Sequence, residues 1–375
     1  MGMRARFLPW VMVISALVTL GGCVARGEEW SKAKERKEYQ LEYFKGIKMA
    51  LPGFVRLEQA SSYSVVGEST VPGMLDKLKV QVKGSVLVIE ADEDVCRELI
   101  GFRKQPVVRF TVRTPRIENI DLLGSGDIVC PGTVSTPVLS VKLQGSGDVK
   151  LNTVQCSGTV TAQLLGSGDM GFRAVQAQDG VFSLLGSGDM DVDRLSAQGP
   201  VKLSLSGSGD MEVDYLASGS LDLSLKGSGD MKLERVELQG DYNANLLGSG
   251  DMVVRSVKGA KLLQTEVLGS CAMQYGSIQA ERVVFSLRGS GDIQVSEPST
   301  AETASYSVLS SGDIVADRLA VQRVELSATG SGDISVHAVK ELNVKSMVGS
   351  CTVSYLGNPA IHFDGSSPVE LRKMD

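Results

Sequence analysis

Ten aspartates stand at one fixed place in a recurring corner. Gly-Ser-Gly-Asp begins at Gly124, Gly145, Gly166, Gly186, Gly207, Gly227, Gly248, Gly289 and Gly330, and a Ser-Ser-Gly-Asp version begins at Ser310. Carboxylates repeated in this way have two chemistries open to them. They accept hydrogen bonds from nearby hydroxyl and backbone N–H groups, or they hold cations. If the corners stack, Asp127, Asp148, Asp169, Asp189, Asp210, Asp230 and Asp251 form a continuous ladder, and like charges that close repel. The reading we prefer satisfies each carboxylate with Ser hydroxyls and backbone N–H groups. A cation ladder is the weaker alternative. Calcium β-rolls use Gly-Gly-x-Gly-x-Asp in nine-residue repeats, whereas this chain has one Asp per corner and a different spacing from the glycines.

Other chemistry is scarce. The chain has two histidines, His337 and His362, and neither lies in a pattern that supplies a Ser-His-Asp arrangement. His337 falls on the outward side of its strand. No phosphate loop, zinc motif or nucleophile elbow is present, and no cofactor is expected. Cys96, Cys130, Cys156, Cys271 and Cys351 are an odd set at irregular spacing, which is not a disulfide framework. Cys23 differs from them. It follows Leu20-Gly21-Gly22, which closes an apolar run from Phe7 preceded by Arg4 and Arg6. The run is too short to cross a bilayer and fits a signal peptide. Small residues before a cysteine at this place resemble the bacterial lipobox, which implies cleavage before Cys23 and its acylation. Val24 in the next position favours sorting to the outer membrane.

The elements that position the aspartates follow from the period. Twelve corners, counting Gly-Ser-Cys versions at Gly269 and Gly349, recur every 19 to 21 residues. Such a period marks a solenoid. Counting from the first residue of each corner, position +4 is Ile, Val or Met throughout, with six consecutive methionines from Met170 to Met273. Position +6 is apolar from Cys130 to Tyr355, and position +9 from Val154 to Ile278 and again at Leu319 and Val339. The second residue before each corner continues the stripe, and so does the fourth before eight of them, from Ile120 to Leu326. Alternation by two means strands with one buried face, and twenty residues cannot hold a βαβ crossover. The expected fold is all-β: a single-chain parallel β-solenoid with 20–21 residues per coil, a β-rich N-terminal cap, and a right-handed winding that suits the usual strand twist. Strand spacing makes the rod roughly 55–60 Å long. The corner glycines (Gly124, Gly145, Gly166, Gly186, Gly207, Gly227, Gly248, Gly289 and Gly330) are expected to supply φ > 0.

The chain divides accordingly into a lipoprotein signal peptide (1–22), a polar tether or short helix (23–43), an N-terminal cap or irregular first coils (44–118), the repetitive solenoid (119–355) and a C-terminal cap (356–375). Within the cap, Phe44-Lys45-Gly46-Ile47, Tyr63-Ser64-Val65 and Leu87-Val88-Ile89-Glu90, followed by Ile120 leading into Gly124-Ser125-Gly126-Asp127, resemble the family described as putative auto-transporter adhesin, head GIN domain. The resemblance covers about 44–365. It implies a β-solenoid in the cell envelope of Bacteroidetes-type bacteria and brings no catalytic residues.

Composition narrows the function. Net charge is −6, which argues against a nucleic-acid partner, because that calls for a basic stripe. Coils of nearly uniform length leave no long loops to build a cleft. The expectation is a non-catalytic, lipid-anchored envelope protein whose partners are the membrane and a glycan or surface-protein ligand. The alternative is a polysaccharide lyase or hydrolase built on a β-helix.

Overall fold

The computed structural model describes residues 33–101, 107–364 and 371–374. Cys23 and the signal segment lie outside them. The inward positions read from the sequence form one continuous core. Every +4 residue from Ile128 to Val353 is buried, and so is every residue two places before a corner, from Leu122 to Met347. Equivalent strands pair in parallel and in register. Met170 lies opposite Met190, Met190 opposite Met211, and the column runs on to Met273. Burying one such side chain contributes about 1.5–3 kcal/mol. A flexible thioether also fits the varying gaps between coils. The result is a parallel β-solenoid of about 12 turns.

The corners explain why the coils stack so closely. In most coils the first corner residue's carbonyl oxygen accepts N–H groups from the next coil's Ser and second Gly; Ser208 and Gly209 reach Gly186 O at 2.9 and 3.2 Å. Positive φ occurs at the first glycine of several corners, including Gly124 and Gly227, but at none of the second glycines. Those are buried, and they are required for another reason. A Cβ built on Gly147, Gly168, Gly188 or Gly209 would overlap the carbonyl oxygen of the glycine one coil below. Left-handed backbone thus accounts for part of the motif, and close approach between coils accounts for the rest.

Two further expectations change. Val339, placed inward by spacing, is 39% exposed, and Ala338 takes the core position. The coil from Gly330 to Gly349 is the shortest, and its register slips so that Ala320 lies opposite His337 and Val321 opposite Ala338. His337 is half-buried as a result. The polar stretch expected as a tether or short helix holds a strand, β1 (Glu35–Tyr39).

The N-terminal cap is built out of chain order. Strands β2 (Gly46–Ala50) and β3 (Phe54–Gln59) form a coil without the repeated corner. After them come β4 (Ser64–Ser69), β5 (Leu78–Lys83), β6 (Val86–Ala91), helix α1 (Glu93–Gly101) and β7 (Val108–Thr114). The first repeat coil, β8 (Asn119–Gly124) and β9 (Asp127–Thr136), stacks on β2 and β3, while β6 and β7 pair with the other edges of β2 and β3, all in parallel. Antiparallel strands close the remaining edges: β5 on β6, β4 on β7 and β1 on β4. This shields the strand edges that a solenoid otherwise leaves open. The aromatic ring of Tyr39 in β1 lies 6.1 Å from that of Phe110.

The stacking argument sets a stability test. Gly188→Ala should lower the melting temperature, at a cost of about 1–3 kcal/mol or more, because the methyl has no space. Gly132→Ala, where nothing lies within 4 Å of an added Cβ, should change it little. Equal melting of the two variants in a thermal denaturation series would refute close approach as the reason for the second glycine.

Candidate functional site

The aspartate ladder is real in geometry, and backbone N–H groups satisfy it. Each Oδ1 accepts the N–H of the equivalent residue one coil on. Asp148 N reaches Asp127 at 3.2 Å, Asp210 N reaches Asp189 at 3.0 Å, and Asp251 N reaches Asp230 at 2.8 Å. Asp169, Asp189 and Asp230 N–H groups bond in the same way to Asp148, Asp169 and Asp210. Ser hydroxyls take no part in these bonds; some pair with each other, as Ser208 Oγ does with Ser187 Oγ at 3.4 Å. A hydrogen bond to a charged group is worth about 1.5–3 kcal/mol. Neighbouring unit charges at strand spacing repel by about 1 kcal/mol in a water-like medium. The bond wins at each rung. Ala272 takes the N–H place above Asp251 but offers no carboxylate to the next coil, so the column restarts at Asp292 and ends where Thr352 N bonds Asp333. Cys271 and Cys351, the residues before those two interruptions, are buried free thiols. Burial pushes the Cys130 thiol up to about 11. Among the described residues no group of three or more His, Cys, Asp or Glu is arranged to hold a metal ion.

A groove of about 620 Å³ runs along a different face. Its rim is made by the outward residues at positions +5 and +7, and its floor by buried Leu151, Phe172 and Val192. Strand pairing sets the rim in register, with Lys150 opposite Gly171, Gly171 opposite Asp191 and Asp191 opposite Glu212. Gly171 supplies no side chain and so opens the groove between its longer neighbours. The rim is basic at one end, through Lys150 and Arg173, and acidic at the other, through Asp191, Asp193, Glu212 and Asp214. Burial, then the charges of Glu212, Asp189, Asp169 and Asp193, push the Asp191 carboxyl up to about 6. Protein atoms crowd this carboxyl, yet the residue as a whole is exposed. The exposed area governs, so water screens much of the electrostatic cost. Asp214 is also raised, by burial and by Glu212, Asp193 and Glu234.

Sequence reasoning does not single out this groove. Its signal is present, as a glycine at +5 flanked by charges at the same position one coil away, but it emerges only once the coils are aligned. The two histidines do not join it: His337 is half-buried and His362 exposed, both on the closing coils.

A parallel β-solenoid with a stacked Gly-Ser-Gly-Asp edge and a charged groove defines a repeat protein that presents ordered columns of side chains. The chain belongs to the family described as putative auto-transporter adhesin, head GIN domain, whose model matches residues 43–234 and 242–359. Solved structures similar to it include a putative adhesin from Bacteroides fragilis (14% identity, TM-score 0.32, 92% of this chain and 99% of that one). Another is a putative adhesin from Parabacteroides merdae (15%, 0.26, 91% and 96%). A third is a putative lipid binding protein from Parabacteroides distasonis (19%, 0.23, 91% and 96%). No curated protein matches the chain.

Two tests follow from the site. Asp210→Ala leaves the Asp230 N–H without its acceptor and should cost about 1–3 kcal/mol; Asp210→Asn keeps an oxygen there and should melt close to wild type. Asp191 titrates higher folded than unfolded, so the folded chain binds more protons between about pH 4 and 6. Stability therefore falls as pH rises through that window. Asp191→Asn should flatten this part of the pH–melting curve and raise the melting temperature at pH 7 relative to wild type, with no gain at pH 4.

Proposed function

We propose that this chain is a non-catalytic rod of the bacterial cell envelope, held to the membrane by acylated Cys23 and binding a surface ligand, glycan or protein, through its groove-bearing face. Family membership supports the adhesin class. The observation that carries the binding reading is the groove itself. Fixed rungs hold charged and apolar groups at strand spacing beside it, which suits an extended partner. Among the described residues no helix is long and apolar enough to cross a membrane, and the Leu20-Gly21-Gly22-Cys23 sequence supplies the anchor in this reading. Several acyl chains hold a protein far more firmly than one. Val24 after the cysteine directs it to the outer membrane.

One observation favours a second reading. A carboxyl raised to about 6 beside other carboxylates, as at Asp191, is an arrangement that glycoside hydrolysis uses. The binding reading takes precedence, because the coils around the groove carry no long loops to enclose a sugar ring.

Cys23→Ser should move the protein from the membrane fraction to the soluble fraction; unchanged fractionation would rule out the anchor. Purified protein on a glycan array should show binding without chain cleavage. Shortened polysaccharide products that vanish with Asp191→Asn would establish the enzyme instead.

A further inference from the structure

We propose that the groove-bearing face pairs with the same face of a second copy of this chain, the two rods running antiparallel. This rests on reading that face as a binding surface, and it names the occupant. Four coils carry the argument. The first two present Lys150 and Arg173, and the next two present Asp191, Asp193, Glu212 and Asp214. A face with one positive half and one negative half complements itself under a two-fold axis. The axis lies across the rods, midway between the coils that begin at Gly166 and Gly186. It sets Arg173 opposite the second copy's Asp193, and Lys150 opposite its Glu212. It also sets Asp191 over Gly171, where there is room: a Cβ built on Gly171 meets only the Lys150 side chain, at 3.8 Å. The other isologous choice, a two-fold axis along the rods, brings each coil against itself and so crowds Asp191 and Asp193 onto their own copies. Charge therefore selects the antiparallel pair.

The charges are available for this use. Among the described residues Asp191, Asp193 and Arg173 have no salt-bridge partner, and Arg173 bonds only Asn152 Oδ1 at 3.5 Å. Lys150 has only an exposed 3.5 Å contact with Asp148, which is weak; Glu212 is held by Lys232 in a part-buried pair on the neighbouring coil, which a facing Lys150 would have to share. Four coils span roughly 19 Å, which is short for a standard interface of about 800 Å² per partner. A single pair is accordingly weak, and many copies on two facing surfaces make it strong. Antiparallel rods also carry their N-terminal ends at opposite ends of the pair. Chains tethered at the N-terminus then join two facing membranes rather than neighbours on one.

The test displays the mature chain, residues 24–375 carrying a histidine tag in place of the lipidated Cys23, on vesicles of nickel-chelating lipid, so that attachment does not depend on acylation. Wild-type vesicles should cluster, measured by light scattering, and clustering should be lost at about 1 M salt, where screening reaches only ~3 Å. Vesicles carrying K150E with R173E, or D193R with E212K, should not cluster alone. The two populations mixed should cluster again, because every facing pair is then opposite in sign. Wild-type vesicles that stay dispersed overturn the proposal, as does clustering of either variant alone at the wild-type level, or a mixture that stays dispersed. If wild-type vesicles stay dispersed while the protein binds a glycan array, the pairing fails and the binding-surface reading stands; if neither occurs, both fail.

Discussion

The closeness of one coil to the next governs this molecule. Parallel strands must lie about 4.8 Å apart to hydrogen-bond, and at the corner the backbone of one coil comes so near the next that no Cβ fits between them. Gly147, Gly168, Gly188 and Gly209 meet that condition by having no side chain. Once the corners nest, the rest of each coil is fixed in register, and Met170 comes to lie over Met190. Core packing and corner packing therefore depend on each other: an apolar column of constant width forms only if every circuit closes at the same height.

Stacking identical corners also stacks identical charges, and the fold meets that cost within the corner. The carboxylate that repels its neighbour also accepts the neighbour's N–H, a group that would otherwise go without a partner at the bend. This explains why Asp follows the second glycine. At Ala272 and Thr352 the N–H is satisfied from below and no carboxylate is offered above, so the second of these ends the ladder at the last coil. The outward faces carry no such obligation. Their residues vary from coil to coil, and the split of Lys150 and Arg173 from Asp191 and Asp193 is confined to them.

Much of this was legible in the amino-acid sequence because it is local. Alternation by two places Ile128, Met170 and Val213 inside with no knowledge of their neighbours, and the recurring corner counts the coils. What was not legible depends on distant partners. Glu35–Tyr39 is polar and reads as a linker; it becomes a strand because β4 offers it an edge. The stacking of β6 and β7 on the far side of β2 and β3 reverses chain order, which no periodicity records. Val339 lies outside because the 19-residue coil keeps strict alternation through Ile334, Val336 and Ala338, without the extra residue that other coils carry between positions +6 and +9. The groove was hidden for a similar reason: the empty place at Gly171 has meaning only beside Lys150 and Asp191, which lie about twenty residues away on either side in the chain.

A rod in which each circuit touches only the circuits above and below has a reach that comes in steps. Inserting or excising one unit of about twenty residues moves the far end by a single strand spacing of ~4.8 Å. Neither terminus has to be rebuilt, and no new kind of contact has to be invented. Duplication within the array is thus a ready route to a longer or shorter ruler, with the span between anchor and target adjusted by counting rather than by redesign.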